Sequence, residues 1–269
     1  MNDAAAPRER VGILLSLAYD GSTFSGFARQ HNAPTVASVL GEAIAKMDPT
    51  AGALRVCSRT DAGVHARAQV ACFDSSLLIE SRGWLLGLSG HLPPQIAVSR
   101  VARVEPGFHP SRAALWKRYQ YWILRGTLRD PFLHARAWRV HDRLDIEAMR
   151  REATALLGTH DFAAFRGAND RRQNTVRTIT EAQITELPAQ PRCLCFEIRG
   201  DRFLYHMVRI ITGTLVDVGR GSREPGAVER ALLSGERTDL GMTAPPDGLY
   251  LDHIEMAHWG HSEWPNHSP

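Results

Sequence analysis

A short polar segment, residues 58–66, carries the side chains with the clearest potential for chemistry. It runs Ser-Arg-Thr-Asp-Ala-Gly-Val-His-Ala, so a cation, a hydroxyl, a carboxylate and an imidazole lie close together between two apolar runs. Loops held by a rigid sheet often carry catalytic groups. The carboxylate of Asp61 can attack a substrate or remove a proton, and Arg59 can help to keep it ionised. The same carboxylate can instead cap a turn through backbone N–H groups, and the segment alone leaves both interpretations open.

Metal and cofactor sites are not indicated by the sequence. Cys193 and Cys195 are two residues apart on a predicted strand, which places both sulfurs on one face and suits either a zinc site or buried small side chains. A second Cys or His pair at ligand spacing is absent, and the twelve histidines form no HExxH pattern. The sequence has neither a Walker motif nor a GxGxxG fingerprint. We therefore predict no cofactor, no metal and four reduced thiols.

Length and composition indicate a globular protein without a membrane span. The chain has 269 residues, enough for one large or two medium domains. Apolar residues make up 43% and charged residues 23%, and no stretch approaches the roughly 20 apolar residues that cross a bilayer. Residues 1–10 carry charges and no apolar core, unlike a secretion signal. These features predict a cytoplasmic location.

The positive charge is concentrated in the second half of the chain. The net charge is only +3, which is weak support for a polyanionic partner by itself. Within residues 166–177, however, several arginines accompany a single acid, Asp170, and further arginines follow: Arg166, Arg171, Arg172, Arg177, Arg199, Arg202 and Arg209. This pattern is typical either of a solvated loop or of a surface that meets phosphates.

The elements that must position the 58–66 segment follow from hydrophobic periodicity. Strands are predicted at 11–19, 54–58, 70–74 and 96–104, with helices at 35–47 and 81–92 and a loop at 59–67. The order strand, helix, strand, strand, helix, strand is the split βαβ arrangement of ferredoxin-like and RNA-recognition folds.

The second half also mixes strands and helices. Strands are predicted at 119–125, 178–187, 194–200 and 249–254, and helices at 146–157, 203–218 and 227–233. Because no regular parallel alternation appears, the sequence favours an α+β fold over a doubly wound sheet. The predicted organisation is a tail at 1–10, an N-terminal α+β domain at 11–110 that carries the Asp61 loop, a C-terminal α+β domain at 111–258 and a tail at 259–269.

The residues quoted so far resemble the TruA family of tRNA pseudouridine synthases. Segment 59–66 is similar to the sequence around the catalytic aspartate of that family. Further strings match in the same order: Tyr19-Asp20-Gly21, Gly26 to Gln30, Leu92-Pro93, Phe108-His109, Lys117 to Tyr121, Asp161-Phe162, Val176 to Ile179, His206 to Arg209 and Gly248 to Leu251. Each string is short, but the collinear set is specific and spans about residues 11 to 255.

The resemblance implies roles for five residues. Asp61 matches the catalytic aspartate, which is needed to break the N-glycosidic bond of uridine. Tyr119 matches a tyrosine that stacks on the target base, and Arg209 a basic residue that pairs with the aspartate. Leu249 matches an apolar residue of the pocket, and Arg59 an arginine that opens the RNA and replaces the flipped nucleotide. Without the resemblance, Tyr119 and Leu249 are typical core residues, and Arg209 is typical of a helix surface.

The resemblance also implies a fold and a substrate. The fold is α+β, with two ferredoxin-like or RRM-like halves whose mixed, mainly antiparallel sheets join across a central cleft. The activity is a cofactor-free isomerisation of uridine at positions 38–40 in the anticodon arm of tRNA, performed by a homodimer. The apolar arc of 203–218 suits either a dimer interface or a core.

The sequence departs from the family at three positions. Ser58 replaces a usual glycine, Phe27 a common tryptophan and Ala28 a common glutamine. If the backbone at Ser58 required a positive φ, the serine would be strained. Two alternatives therefore stay open: a non-catalytic RNA-binding or chaperone protein in which Ser58 marks a lost active site, and the same chemistry on a different RNA.

Overall fold

The computed structural model describes residues 9–257, which divide into two compact units. The first unit comprises residues 9–115 and 254–257, and the second comprises residues 116–253. Each unit is α+β, as the sequence predicted. The expected tails at 1–10 and 259–269 lie outside the described residues, apart from Glu9 and Arg10, which form no regular structure. None of the helices within 9–257 is long and apolar enough to cross a membrane.

The first unit has the predicted ferredoxin-like topology. Its elements are β1 (Val11–Tyr19), α1 (Val36–Met47), β2 (Arg55–Val56), β3 (His65–Ser75), α2 (Ser81–His91), β4 (Ile96–Val104) and the short α3 (Pro110–Ala113). Strand β1 pairs antiparallel with both β3 and β4, and β2 pairs antiparallel with β3. The resulting order β4-β1-β3-β2 is that of a split βαβ fold.

The core of the first unit follows from its apolar pattern. Residues 12–17 of β1 are buried because this strand lies between two others. Helix α1 begins at a capping box between Thr35 and Ser38. Trp84 of α2 packs edge-on against Phe73 of β3 with ring centroids 5.2 Å apart. The helices thus cover the sheet whose strands carry the 58–66 segment.

The second unit is built on a longer, mostly antiparallel sheet. Its elements are β5 (Ala114–Arg125), β6 (Trp138–Val140), α4 (Ile146–Thr154), β7 (Gly158–Asp161), β8 (Val176–Leu187), β9 (Gln190–Gly200), α5 (Met207–Gly219), α6 (Ala227–Ser234) and β10 (Leu249–Met256). The strand order is β10-β5-β9-β8-β7, and β6 pairs with β5 in parallel. The short strands β6 and β7 have too few residues to produce a periodic signal in the sequence.

Helix α5 begins later than its apolar run predicts. The run starts at Phe203, but the first helical residue is Met207, because His206 adopts a left-handed backbone conformation with φ 62°. Among the thirteen described residues of α5, every one except Arg209 is buried. Since these residues are covered within a single chain, the apolar arc of this helix forms core and not a dimer interface.

Candidate active site

The loop between β2 and β3 presents Asp61 at the end of a buried framework. Asp61 is partly exposed and Arg59 is exposed, whereas Ser58 and Thr60 retain only 8% of their accessible surface. The loop is shorter than the sequence predicted, because β3 already begins at His65. Polar side chains in this loop therefore alternate between solvent and interior, and the buried ones hold the segment in place.

Gln69 of β3 clamps the beginning of this loop. Its side chain is fully buried. Its Oε1 accepts the Ser58 N–H at 3.3 Å and its Nε2 donates to the Ser58 carbonyl at 2.7 Å. The carboxamide thus pairs with Ser58 as a neighbouring strand would. Since buried backbone groups must be paired, Gln69 fixes the position from which the loop leaves the sheet.

A second buried contact fixes the residue before Asp61. The Tyr19 hydroxyl lies 2.7 Å from Thr60 Oγ1 and also accepts a bond from Gln69 Nε2 at 3.3 Å. Burial of the phenol raises the pKa of Tyr19 to about 12, against the smaller opposing effect of those two hydrogen bonds. Tyr19 is therefore a neutral, structural hydroxyl at physiological pH.

The segment after β1 packs against the Asp61 loop with glycine at the closest approaches. Gly26 has φ 89°, and a Cβ there would lie 2.8 Å from the Thr60 carbonyl oxygen and 3.1 Å from the Asp61 carbonyl carbon. A Cβ at Gly21 would lie 2.0 Å from the Val64 carbonyl oxygen. The Phe27 N–H donates to the Thr60 carbonyl at 3.0 Å. These close backbone contacts thus explain why Gly21 and Gly26, in two of the strings that match the family, have no side chain.

His65 closes the other end of the loop from the interior. It retains 2% of its accessible surface, and its Nδ1 accepts the Gly21 N–H at 3.1 Å. The same nitrogen lies 3.3 Å from Asp20 Oδ1. In the same turn, Asp20 Oδ1 accepts the Ser22 N–H at 3.0 Å. His65 therefore acts as a structural tie.

The serine that replaces a family glycine introduces no backbone strain. The described non-glycine residues with positive φ are Ala135 and His206, so Ser58 is not among them. Within the loop, the left-handed position is taken by Gly63, with φ 79°. The backbone strain that a positive φ at Ser58 would cause is therefore absent.

A cavity of about 500 Å³ in the first unit is lined mainly by apolar residues, together with Arg29, Arg59 and one acid, Asp48. Arg29 lies across α1 at Gly41, where a Cβ would stand 2.1 Å from Arg29 Nη2. The absence of a side chain at Gly41 thus creates the space for this guanidinium.

In the second unit, Tyr119 and Leu249 lie on the neighbouring strands β5 and β10. Tyr119 retains 9% of its accessible surface and packs edge-to-face against Phe203, with ring centroids 4.9 Å apart. Leu249 retains 5%. The N–H of Trp122 donates to the Gly248 carbonyl at 2.8 Å and thereby ties the start of β10 to β5. The Tyr119 ring is thus held by Phe203, a neighbour that the sequence did not identify.

Arg209 is anchored at the first turn of α5. Its Nε donates to the Ala244 carbonyl at 2.8 Å, while its own carbonyl accepts the Ala244 N–H at 3.0 Å. Such reciprocal bonds fix the direction of the Arg209 guanidinium, whereas the side chain of a snorkelling surface arginine is not fixed in this way.

Burial raises the pKa of Tyr121 well above its usual value, partly opposed by the positive charge of Arg209. Tyr121 donates to the Pro245 carbonyl at 2.7 Å and is a core residue.

The predicted site residues therefore fall into two groups, each fixed within its own unit. Arg59 and Asp61 belong to the first unit, and Tyr119, Arg209 and Leu249 belong to the second. The supporting residues Gln69 and Phe203, and the carbonyl of Ala244, were not found from the sequence, because no local pattern marks them.

Within residues 9–257, no group of three or more His, Cys, Asp or Glu side chains is arranged to hold a metal ion. All four cysteines are buried free thiols.

Comparisons with known proteins point to one family. A family profile described as tRNA pseudouridine synthase matches residues 153–255. The tRNA pseudouridine synthase A of Myxococcus xanthus is 40% identical over 242 residues, which cover 90% of this chain and 91% of that protein. The corresponding protein of Citrifermentans bemidjiense is 43% identical, with coverages of 89% and 95%. That of Neisseria gonorrhoeae is 38% identical, with both coverages at 93%.

Proposed function

The chain belongs to the tRNA pseudouridine synthase A family, and from this membership we propose that it isomerises uridine to pseudouridine at positions 38–40 in the anticodon stem-loop of tRNA. The observation that carries the proposal is the loop at 58–64. Its backbone is held by Gln69, Tyr19 and the segment around Gly26, so that Asp61 is presented from a rigid support. Rigid positioning of a reacting group supplies a large part of catalytic power. A simple turn cap needs no such framework.

The proposed reaction exchanges bonds within one nucleotide. The C1′–N1 glycosidic bond breaks, the base rotates, and a C1′–C5 bond forms; N1 gains a proton and C5 loses one. We propose that the Asp61 carboxylate acts in this exchange, either by attack or by proton removal, while Arg209 serves as its basic partner. Because the sum of atoms and electrons in the nucleotide is unchanged, the isomerisation requires no cofactor.

The remaining residues suit extrusion of the target base. A uridine in a stem must leave the stack, which costs a few kcal/mol that an aromatic platform and an inserted cation can offset. We propose Tyr119, whose ring is held edge-on by Phe203, as the platform, and exposed Arg59 as the inserted cation. Leu249 is the proposed apolar wall. A double-mutant cycle for Tyr119→Leu with Arg59→Ala, read as turnover, tests whether these two side chains act on the same step.

Pseudouridine mapping tests the function directly. Unmodified tRNA transcripts are incubated with the protein, and carbodiimide-dependent primer extension locates new pseudouridine. We expect stops at positions 38–40 with the wild type, none with Asp61→Asn, and wild-type stops with Asp142→Asn, which changes an exposed aspartate of the second unit. Asp61→Asn should still bind tRNA.

Each contrary outcome has a distinct meaning. Tight tRNA binding without new pseudouridine would support the non-catalytic RNA-binding alternative. Stops elsewhere, or only in other RNAs of a total RNA sample, would retain the chemistry and change the substrate. Substantial turnover by Asp61→Asn would refute the assignment of Asp61.

The assembly and location are proposals of the same kind. We propose that the protein acts as a homodimer in the cytoplasm, on the basis of the family resemblance and of tRNA as the substrate. Because α5 is buried within its own chain, a dimer must use another surface. Sedimentation equilibrium at micromolar concentration should give twice the mass of 29.8 kDa; the mass of a single chain would contradict the dimer.

A further inference from the structure

A stacked aromatic pair stands on the surface of the second unit, just before α5. The rings of Tyr205 and His206 have centroids 3.8 Å apart and planes inclined by 25°. One face of Tyr205 is thus covered, yet the residue keeps 37% of its surface exposed. His206 has φ 62° and ψ 0°, a conformation that residues other than glycine rarely adopt. The left-handed backbone of His206 thus accompanies the parallel contact of the two rings.

The loop at 166–172 is fitted closely against this pair. The Gly167 N–H donates to the Tyr205 carbonyl at 2.8 Å. A Cβ at Gly167 would lie 2.8 Å from Tyr205 Cδ1 and 3.1 Å from His206 Nδ1. Only glycine therefore allows the loop to approach the rings so closely.

Asp170 ties the same loop to the aromatic segment. Its Oδ2 accepts the Tyr205 N–H at 2.8 Å, and its Oδ1 accepts the Arg172 N–H at 3.0 Å. Burial opposes ionisation, but those two donors and the charges of Arg172 and Arg166 outweigh it and hold the pKa of Asp170 below its usual value. Arg172 Nη1 also donates to the Phe203 carbonyl at 3.1 Å. The basic loop is therefore an ordered part of the surface around Tyr205.

The charge around the exposed ring is positive. Arg166, Arg171, Arg172 and Arg202 are all exposed, whereas the carboxylate of Asp170 is 3% exposed. Asp201 uses Oδ1 to accept the N–H groups of Thr178 and Arg202. The acids of this region are thus engaged by backbone groups, and the arginines reach solvent. An exposed aromatic ring beside arginines is the combination that binds single-stranded nucleic acid.

We propose that Tyr205 is a stacking platform for an unpaired base of the tRNA substrate, with Arg171 and Arg202 contacting the adjacent phosphates. This proposal rests on the proposed function and adds a second point of contact to it. Phe203 connects the basic loop beside Tyr205 with Tyr119, because its ring packs on Tyr119 and its carbonyl accepts the hydrogen bond from Arg172. Phe203 therefore links the platform to Tyr119, which favours a base of the same RNA arm as the one that Tyr205 stacks on.

The stack on His206 explains how the platform recognises RNA without base-specific bonds. A ring already held on one face loses little conformational freedom when a base covers the other face, so binding is preorganised. Any base has a π-face, so the contact is tolerant of sequence. The platform thus selects an unpaired base over a paired one.

The test compares variants of Tyr205 on an anticodon stem-loop RNA. Tyr205→Ala should raise the Kd about tenfold, whereas Tyr205→Phe should change it by less than about twofold, because the ring and not the hydroxyl is used. Phe132→Ala removes an exposed aromatic ring elsewhere in the same unit and should leave the Kd unchanged. Circular dichroism and thermal unfolding of each variant identify any loss of folding.

Abasic RNA distinguishes stacking from a structural role. Removing the recognised base should weaken wild-type binding as much as Tyr205→Ala does, and Tyr205→Ala should then cause no further loss. In addition, 2-aminopurine at the recognised position should be quenched by the wild type and not by Tyr205→Ala. The proposal is overturned if Tyr205→Ala weakens binding of intact RNA and of RNA abasic at any unpaired position to the same extent. It is also overturned if Tyr205→Ala does not weaken binding at all.

Binding and turnover are measured separately so that the two proposals can fail separately. If the wild type binds RNA but forms no pseudouridine, the proposed function fails. The comparison of Tyr205→Ala with the wild type on intact and abasic RNA still tests the platform in that case. If pseudouridine forms normally and Tyr205→Ala binds like the wild type, the platform alone is refuted. A wild type that does not bind the RNA would contradict both.

Discussion

Gln69 pairs with both backbone groups of Ser58, accepting its N–H at 3.3 Å and donating to its carbonyl at 2.7 Å. The two residues are eleven positions apart and belong to opposite sides of the Asp61 loop. Gln69 Nε2 also contacts the Tyr19 hydroxyl, which in turn bonds Thr60. One buried amide therefore connects β1, β3 and the loop, and it makes the position of Asp61 depend on the sheet.

Gln69→Leu should uncouple the loop from the sheet. The substitution keeps a similar volume but leaves the Ser58 N–H and carbonyl without their partner, which should lower the free energy of unfolding by about 3 kcal/mol. Pseudouridine formation should fall at least about tenfold, since misplacement of a reacting group is costly. Urea unfolding and single-turnover kinetics measure both effects. The control Gln190→Ala changes an exposed glutamine; a Gln69→Leu variant as active as this control would refute the clamp.

Tyr19 should contribute to a loss of stability at high pH. Its folded pKa is about 12 because burial disfavours the phenolate, against 10.0 for the unfolded residue. Above pH 10 the unfolded chain loses this proton and the folded chain retains the phenol, so stability falls towards pH 12 by up to about 1.4 kcal/mol per pH unit. Tyr19→Phe should be about 1 kcal/mol less stable at pH 8 and less sensitive to pH above 10.

Urea titrations between pH 8 and 11.5 measure this slope. Tyr121, whose pKa is also raised by burial, continues to contribute, so Tyr19→Phe removes only part of it. If Tyr19→Phe keeps the slope of the wild type above pH 10, burial of Tyr19 is not its cause.

Gly26→Ala should displace the loop that carries Asp61. The residue has φ 89°, and the added methyl would meet the Thr60 carbonyl oxygen at 2.8 Å. We expect a loss of about 2 to 3 kcal/mol in the free energy of unfolding and a fall of about 100-fold in kcat. Gly90→Ala is the matched control, because no atom lies within 4 Å of its added methyl on helix α2. That control should be neutral or slightly stabilising; equal effects at the two positions would argue against the steric account.

Ser58→Gly should not improve the enzyme. Because Ser58 is not at positive φ, glycine relieves no strain and adds entropy to the unfolded chain, with an expected loss of about 0.5 to 1 kcal/mol. Turnover should stay within about twofold of the wild type, as the loop conformation is unchanged. A large gain in turnover, measured by the same pseudouridine mapping, would show that the serine impairs the site.

Arg171 should contribute to the salt dependence of tRNA binding without affecting stability. It is exposed on the basic loop, next to Arg172, whose guanidinium bonds the Phe203 carbonyl. Arg171→Ala should reduce the slope of log K against log salt by about 0.7 to 0.9, the value for one phosphate contact. Arg172→Ala should also lower the melting temperature, because it removes that bond. An unchanged slope for Arg171→Ala would mean that this side chain faces only solvent.

The strand and helix order of the first unit could be read from the sequence because its signals are local. The apolar run of β1 predicts a buried strand, and the spacing in 36–47 predicts a helix. Both depend on residues two to four positions apart. Segment 203–206 shows the limit of such reasoning. Its apolar character favours helix, but the Tyr205 N–H bonds the distant Asp170 and His206 turns left-handed, so the helix starts at Met207.

The sequence by itself determined the family, the α+β class and the identity of the candidate carboxylate, since collinear strings and local periodicity are properties of the chain alone. Only the tertiary structure decided how that carboxylate is held. The bonds of Gln69 to Ser58 and of Tyr19 to Thr60 join residues 11 and 41 positions apart. Such pairs depend on the register between strands and on which side chains the sheet buries together. No local pattern encodes that register, so these supporting residues become visible only after folding.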